Sequence, residues 1–245
     1  MSRRVIIVQA RMASVRLPGK VLMDLCGKPM LSRQLARLRR CRYADEIVVA
    51  TTDRRIDDPV VDLATREGFR CFRGSESDVL SRYRGAARES RADLVVRITA
   101  DCPLIDPAQT DRVIRALDEG ATGYDYASNT LERRFPRGLD TEALFADVLE
   151  RVHRMATSPS AREHVTSFIH RERPELFRLL SVTDEEDHSD LRWTVDEPED
   201  LLFVRKVYEE LGDAVVEAGY RELLAFVLER PDLVALNRGV VQKPV

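Results

Sequence analysis

The sequence VIIVQARMASVRLPGK, residues 5–20, joins a short apolar run to a basic loop. The run at residues 5–8 is rich in β-branched side chains, which is typical of a strand buried on both faces of a parallel sheet. A strand of this kind delivers the loop after it to the carboxyl edge of the sheet, where open α/β folds bind their ligands. The stretch therefore predicts an α/β fold with a ligand site beside its first strand.

The loop carries four side chains that suit a polyphosphate, Arg11, Ser14, Arg16 and Lys20. Guanidinium and ammonium groups bind phosphate oxygens through charge-assisted hydrogen bonds. Clustered cations are also common on solvated surfaces, and the Gly-x-x-x-x-Gly-Lys-Ser/Thr pattern of the Walker loop is absent. Charge alone leaves both interpretations open, and the position directly after the first strand favours a site.

Composition narrows the class of protein. The chain has 245 residues and a formal net charge of −3, which allows one large α/β domain or two small ones. A near-neutral charge gives no electrostatic case for nucleic-acid binding. The four cysteines lack zinc-site spacing, and no signal peptide or apolar run of membrane-spanning length is present. We expect a reduced, cytoplasmic protein that binds neither nucleic acid nor membrane.

The first half of the chain alternates strands with helices. Further strands are predicted at residues 46–51, 69–73 and 94–98, and helices within 23–42 and at 59–67, 79–90 and 107–119. This order predicts a mostly parallel sheet with helices on both faces.

The second half is less regular, and no repeat or low-complexity linker divides it from the first. It predicts an edge strand at 124–129, a helix at 141–157 that opens with Glu142, a helix at 160–173, strands at 176–183 and 191–195, helices at 198–211 and 220–229, and a loose tail after Pro231. A single domain with an inserted subregion accounts best for this pattern.

Two aspartates, Asp101 and Asp196, each follow a predicted strand, and a proline within two residues stops that strand. In a doubly wound sheet both would project at the same carboxyl edge as the basic loop. Mg²⁺ prefers one or two carboxylates together with phosphate oxygens and water, so the pair suits a magnesium–nucleotide complex. Each aspartate could instead cap a helix, Asp196 in particular.

Residues 10–20 resemble the A-R-x-x-S-x-R-L-P-G-K signature of the CMP-sugar synthetases, the cytidylyltransferases of 3-deoxy-manno-octulosonate and acylneuraminate. The nearest branch is similar to spore-coat-polysaccharide-type cytidylyltransferase-like proteins, and shared motifs recur at residues 78–82, 101–106, 138–142, 162–166 and 193–200. The resemblance implies a Rossmann-like nucleotidyltransferase fold and a homodimer. It divides the single domain 1–245 into a nucleotide-binding half (1–120), an inserted acceptor and dimerisation subregion (121–190), and a part with the second metal aspartate and closing helices (191–230).

The same resemblance implies roles for particular residues. The nucleotide-binding residues would be Ala10, Arg11, Ser14, Arg16, Lys20, Gly74, Ser75, Asp78, Val79, Thr99 and Asp101. The acceptor-binding residues would be Arg133, Gly138, Asp140, Glu142, Glu163 and His164. The catalytic residues would be Arg11, Arg16, Lys20, Asp101 and Asp196, with Asp101 and Asp196 as the Mg²⁺ ligands.

The expected reaction is in-line attack of an acceptor oxygen on the α-phosphorus of CTP, with release of pyrophosphate. The partners of the enzyme would be CTP and a small anionic acceptor such as a sugar acid, and its cofactor would be Mg²⁺. The reaction would belong to the synthesis of glycan or polysaccharide precursors. One alternative is a glycosyltransferase of the same nucleotide-binding fold, although no Asp-x-Asp motif follows the fourth strand. The other is a non-catalytic nucleotide-binding protein.

Overall fold

The computed structural model describes residues 2–120 and 123–242, which form nine strands and ten α-helices. The strands are β1 Arg4–Gln9, β2 Asp24–Leu25, β3 Lys28–Pro29, β4 Glu46–Thr52, β5 Arg70–Gly74, β6 Leu94–Thr99, β7 Tyr126–Ser128, β8 Glu142–Phe145 and β9 Leu179–Ser181. The helices are α1 Met30–Leu38, α2 Asp58–Arg66, α3 Val79–Glu89, α4 Pro107–Asp118, α5 Ala146–Met155, α6 Pro159–His164, α7 Pro198–Leu211, α8 Ala214–Glu217, α9 Tyr220–Leu228 and α10 Pro231–Asn237.

Seven of the strands form one sheet in the order β5-β4-β1-β6-β8-β7-β9. Strand β1 pairs in parallel with β4 and β6, and β5 pairs in parallel with β4. Strand β8 is antiparallel to both β6 and β7, and β9 is parallel to β7. The mostly parallel sheet is confirmed, and the antiparallel pairs all belong to its second half.

Helices cover both faces of this sheet, as expected. Along β1, Ile6 and Val8 face one hydrophobic core, while Val5 and Ile7 face the other. Apolar residues of α1, α2, α4, α7, α9 and α10 complete the first core, and those of α3, α5 and α6 the second. A strand with apolar residues on both faces is therefore buried between two layers of helices.

The elements predicted in the first half match the structure to within about one residue at most ends. Their helices carry strong capping signals, because the Asp78 Oδ1 accepts from the Ser81 amide at 2.9 Å and the Asp106 Oδ1 accepts from the Gln109 amide at 2.7 Å. These side-chain caps satisfy amide groups that the helix itself leaves without partners.

The predicted helix at 141–157 is wrong at its start. Glu142 opens strand β8, which pairs with β6, and helix α5 begins only at Ala146. The Glu142 carboxylate is buried and forms an ion pair with Arg97 of the neighbouring strand. A buried polar pair thus replaces the apolar alternation by which a strand is recognised in sequence.

The predicted helix at 160–173 is not continuous. Helix α6 ends at His164, and Val165 adopts φ 56 and ψ −68, a conformation that no α-helix contains. A π-helical turn follows at Phe168–Glu172. The break places His164 and Thr166 on the wall of the cavity described below.

Two further predictions near the C-terminus are wrong. Residues 191–195 form no ladder strand, since their backbone makes a single bridge, from Arg192 to Arg137. The segment after Pro231 is not loose, because α10 extends to Asn237 and buries Leu233 in the first core. Proline at the first position of a helix is favourable, so Pro231 opens this helix.

The predicted boundary between residues 120 and 121 adjoins residues 121 and 122, which lie outside the described residues. The three-part division of the domain stays a prediction. Within residues 2–120 and 123–242, none of the helices has the length and apolar character needed to cross a membrane.

Candidate active site

The basic loop lies at the carboxyl end of β1, and hydrogen bonds from its backbone amides hold it in place. The Met12 amide donates to Asp57 Oδ1 at 2.6 Å, and the Gly19 amide donates to the Met12 carbonyl at 2.9 Å. Gly19 adopts φ 72, a left-handed conformation that favours glycine. The second contact closes residues 12–19 into a compact turn, and this turn sets the start of the segment that carries Lys20.

Lys20 brings the two predicted metal aspartates together. Its Nζ lies 3.2 Å from Asp101 Oδ2 and 2.9 Å from Asp196 Oδ1, and it donates to the Val195 carbonyl at 2.7 Å. The Val195 amide in turn donates to the Asp101 carbonyl at 2.8 Å. The two aspartates therefore meet at one ammonium group, although residues 191–195 contribute no strand to the sheet.

The ion pairs of Lys20 change the proton affinities of this cluster. Burial by itself raises the pKa of the Asp101 carboxyl, but the Lys20 ammonium and a hydrogen bond from Thr99 outweigh burial and lower that pKa to about 2. Burial lowers the pKa of Lys20, but the two carboxylates outweigh it and raise that pKa above the usual 10.5. Lys20 and Asp101 are therefore both charged at neutral pH.

The two carboxylates differ in their surroundings. Asp196 has a 12% exposed side chain and also forms ion pairs with Arg16 Nη2 at 2.9 Å and with Arg192 Nη2 at 2.8 Å. Asp101 is 24% exposed, and its other oxygen accepts from Thr99 Oγ1 at 2.6 Å. Asp196 is thus compensated by three cations, whereas Asp101 is the more open to a ligand.

The donor chemistry of this pair fits Mg²⁺ bound together with a nucleotide. In the described residues no group of three or more histidine, cysteine, aspartate or glutamate side chains could hold a metal ion. Two carboxylates supply only part of the octahedral set of oxygen ligands that Mg²⁺ requires, and phosphate oxygens and water supply the rest in many nucleotide sites.

Two cavities adjoin at this cluster. The first, of about 470 Å³, is lined by loop side chains that include all four predicted phosphate ligands, Arg11, Ser14, Arg16 and Lys20. The second, of about 590 Å³, is lined by residues of the predicted acceptor region. Both cavities share Asp101, Asp196, Thr99, Arg97, His164 and Gln242. We call these six residues the seam. A larger cavity, of about 1410 Å³, lies along α4 and contains none of the predicted site residues.

Most of the predicted acceptor residues line the second cavity. Arg133 and Asp140 form a bidentate pair at 2.6 and 2.7 Å, and Glu142 is held by Arg97 and by the Tyr126 hydroxyl at 2.6 Å. Glu163 lies on the first cavity instead, 3.8 Å from Arg11.

Gly138 and His164 contribute to the second cavity in different ways. Gly138 has φ 106 and lets its backbone pass close to Trp193 and Thr194. Burial lowers the pKa of His164 against the opposing effect of Glu163, so its imidazole is neutral at pH 7.

The structure leaves part of the predicted nucleotide site outside both cavities. Gly74, Ser75, Asp78 and Val79 line neither of them. The Val79 side chain is fully buried in the second core, and Asp78 caps α3 while pairing with Arg162. Ala10 is buried, so its side chain is not available to a ligand. Its amide donates to the Ala50 carbonyl at 3.1 Å.

The sequence analysis missed several residues that the structure places at these cavities, namely Arg97, Arg137, His170, Arg171 and Thr194. It also missed Arg192, which pairs with Asp196. Only Arg97 left a clear signal, because a charged residue inside the apolar run 94–98 needs a buried partner. The others lie in irregular segments or in the π-helical turn at Phe168–Glu172, and the positions of these segments depend on the tertiary fold.

Comparisons with known proteins identify the family of this chain. The sequence model of the cytidylyltransferase family matches residues 5–223. The chain is 32% identical to the spore coat polysaccharide biosynthesis protein SpsF of Bacillus subtilis, over 92% of this chain and 94% of that protein. It is 34% identical to the 3-deoxy-manno-octulosonate cytidylyltransferase of Anaeromyxobacter sp. strain K, over 65% of this chain and 70% of that protein.

A solved structure extends the agreement to the whole fold. The cytidylyltransferase from Leptospira borgpetersenii superposes with a TM-score of 0.92 at 30% identity, and the match covers all of both chains. The expected Rossmann-like nucleotidyltransferase fold is confirmed. On this evidence, the chain is an enzyme of the cytidylyltransferase family.

Proposed function

We propose that this enzyme transfers CMP from CTP to a sugar acid or related anionic acceptor, releases pyrophosphate, and requires Mg²⁺. The observation that carries the proposal is the Lys20 ammonium shared by Asp101 and Asp196 at the seam between two cavities. Family membership supports the use of CTP, and two adjoining cavities suit a nucleotide and its acceptor meeting at one point.

Asp101 and Asp196 would hold the Mg²⁺, together with phosphate oxygens of CTP. The bound ion would neutralise phosphate charge and polarise the reacting phosphoryl group. Asp101 is the better placed of the two to accept a new ligand, because Lys20 is the one cation that pairs with it within residues 2–120 and 123–242.

The loop cations would bind the triphosphate and stabilise the departing pyrophosphate. Among the residues that the structure describes, Arg11 has one ion pair, a 3.8 Å contact with Glu163, so it is the freest of these cations. Arg16 and Lys20 lie against the carboxylates and would hold the phosphates beside them. Positioning and charge neutralisation account for most of the catalysis of phosphoryl transfer by proteins.

The second cavity would bind the acceptor. Arg133, Arg137 and Arg171 line it, and their charges suit the carboxylate of a sugar acid. The neutral His164 at the seam can accept a hydrogen bond from an acceptor hydroxyl. The relatives named for octulosonate transfer and for spore coat polysaccharide support this class of acceptor and a place in glycan precursor synthesis.

The test is to incubate the enzyme with CTP, Mg²⁺ and a panel of sugar acids, and to measure pyrophosphate. We expect release that depends on one acceptor and is abolished in Asp101→Ala and Asp196→Ala. A glycosyltransferase would instead release a nucleoside phosphate from a nucleotide sugar, and a binding protein would release nothing. Sedimentation of the same sample tests the homodimer that we also propose.

A further inference from the structure

The last described residue of the chain, Gln242, lies at the seam between the two active-site cavities. It lines the first cavity together with the basic loop, and the second cavity together with the predicted acceptor residues. Gln242 is partly buried, whereas its neighbour Val241 is 84% exposed and lines neither cavity. The family model matches the chain only as far as residue 223, so family membership assigns no role to Gln242.

Helix α10 and the residues after it carry Gln242 to the seam. The Asn237 side chain is buried at the end of α10, and its Nδ2 donates to the Arg192 carbonyl at 2.9 Å and to Asp200 Oδ1 at 3.0 Å. The Val240 amide donates to the Asn237 carbonyl at 3.0 Å and so turns the chain after the helix. The C-terminal tail is therefore anchored on the segment that carries the second aspartate.

A hydrogen bond from Arg192 fixes the orientation of the Gln242 amide. Arg192 Nη1 donates to Gln242 Oε1 at 2.6 Å, and Nη2 of the same guanidinium pairs with Asp196. Because a guanidinium only donates, the amide atom that faces it is the oxygen. The NH₂ group of Gln242 lies on the other side of the amide carbon. Away from Arg192, Gln242 therefore presents hydrogen-bond donors that carry no net charge.

Arg137 lies on the same wall as Gln242. Both residues line the second cavity, and both also line a further cavity of about 550 Å³ beside α9 and α10. Burial and the charges of Arg133 and Arg192 lower the pKa of Arg137, whereas Asp140 acts in the opposite direction. A partly buried guanidinium close to other cations favours an anionic ligand. This wall of the second cavity therefore suits the carboxylate of a sugar acid.

We propose that the C-terminal tail completes the acceptor site, and that the Gln242 amide donates to the acceptor carboxylate beside Arg137. This inference rests on the proposed function, because it takes the second cavity as the acceptor site. An amide suits the position for an electrostatic reason. A cation there would be repelled by Arg192 and Arg137, and a carboxylate would repel the anionic acceptor.

The test compares the steady-state kinetics of the wild type, Gln242→Ala and Gln242→Glu, with pyrophosphate release as the signal. The sugar acids of the panel, among them 3-deoxy-manno-octulosonate and N-acetylneuraminate, are titrated at saturating CTP and Mg²⁺, and CTP is titrated at a saturating acceptor. Gln242→Glu keeps the shape of the side chain and the oxygen that Arg192 binds, but it loses the NH₂ donors. Val241→Ala is the matched control, because Val241 belongs to the same tail and lines none of these cavities.

We expect Gln242→Ala to raise the KM for the acceptor roughly 10- to 100-fold, the range of a hydrogen bond to a charged group. Its kcat and its KM for CTP should stay close to the wild-type values, because the contact is made equally in the ground state and the transition state. Gln242→Glu should raise the acceptor KM at least as much, since its charge repels the acceptor. Val241→Ala should behave as the wild type.

A purely structural role of Gln242 gives different results. If Gln242 only held Arg192 against Asp196, Gln242→Glu would keep the wild-type acceptor KM, and Gln242→Ala would lower kcat instead. Either result overturns the inference and leaves the proposed function intact. Equal rises in the KM for CTP and for the acceptor also overturn it, because they indicate damage to the whole site. A wild type that releases no pyrophosphate with any sugar acid overturns the proposed function, and the inference with it.

Discussion

At the scale of single residues, Lys20 joins the two halves of the site. Its motif predicted a phosphate ligand, and the structure adds two carboxylates as its partners. No local pattern indicates this, because the contacts of Lys20 span 81 and 176 residues of sequence. The sequence could therefore predict the residue and its charge, but not the ion pairs that fix its position.

Replacing Lys20 tests its part in turnover. Lys20→Met should lower turnover on the order of 100-fold, the effect of removing one donor that stabilises a transition state. Lys20 also holds the pKa of Asp101 low, so the acid limb of the pH–rate profile should move to higher pH. Pyrophosphate release between pH 4 and 8 measures both effects.

The matched control for this prediction is Lys28→Met, because Lys28 is an exposed lysine remote from the cavities. It should behave as the wild type. An unchanged acid limb in Lys20→Met would show that the carboxylate cluster does not control the rate.

The low pKa of Asp101 leads to a second prediction, which concerns how the free energy of unfolding depends on pH. Its native pKa of about 2 lies below the usual 3.8, so the carboxylate stabilises the fold above pH 4, and this contribution is lost as the pH falls from 4 to 2. The shift corresponds to about 2 kcal/mol. The free-energy difference between wild type and Asp101→Asn, from urea unfolding, should shrink over that interval. A difference that is constant from pH 6 to pH 2 would contradict the low pKa.

At the scale of elements, the accuracy of the secondary-structure predictions depends on the sequence pattern from which each element was predicted. In the first half, apolar runs and aspartate caps agree with each other, and the elements were predicted to within about one residue at most ends. In β8 a buried polar residue stands at the start of the strand, so the local pattern favoured a helix. Propensity was overridden there by a partner on another strand.

The segment that carries Asp196 shows a second reason for error. Residues 191–195 alternate apolar and polar side chains as a strand does, yet their neighbour is the irregular segment around Gly138. Helix α10 supports them from the other side, because Asn237 Nδ2 donates to the Arg192 carbonyl at 2.9 Å and to Asp200 Oδ1 at 3.0 Å. Packing of irregular segments, which leaves no period in the sequence, thus positions the second aspartate.

The close approach of the backbone at Gly138 leads to a prediction about the stability and turnover of a Gly138 variant. A Cβ at this position would lie 2.6 Å from the Thr194 backbone nitrogen, and φ 106 is unfavourable for any other residue. Strain and overpacking each cost about 1–3 kcal/mol, so Gly138→Ala should lower the free energy of unfolding by about 3 kcal/mol. Its turnover should also fall, because Asp196 lies on the displaced segment.

Gly27→Ala is the control for this change. Gly27 also has a positive φ, of 82, but an added Cβ would meet nothing within 4 Å. It should therefore cost only about 1 kcal/mol, and leave turnover unchanged. Equal losses in the two variants would show that the close approach at Thr194 does not matter for stability. Urea unfolding of both proteins measures the difference.

At the scale of the whole molecule, the sheet explains why a short motif was so informative. Strand β1 lies between β4 and β6, so the loop after it and Asp101 after β6 share one edge. That juxtaposition follows from the predicted parallel order alone. The second half adds the antiparallel strands and most of the lining of the second cavity. Its topology could not be predicted, because the chain there no longer alternates strand and helix.

The last prediction concerns how the whole fold responds to its ligands. A ligand at about 100 times its Kd stabilises the native state by about 2.7 kcal/mol, which corresponds to a rise in Tm of roughly 5–10 °C for a domain of this size. We expect this rise with CTP and Mg²⁺, and a much smaller one with CTP and EDTA, because the triphosphate then faces two carboxylates without a divalent cation. Asp101→Asn removes one of those carboxylates, so its response to CTP should depend less on Mg²⁺. A wild-type Tm that CTP raises equally with Mg²⁺ and with EDTA would contradict the role of the aspartate pair, while leaving the basic loop as a triphosphate site.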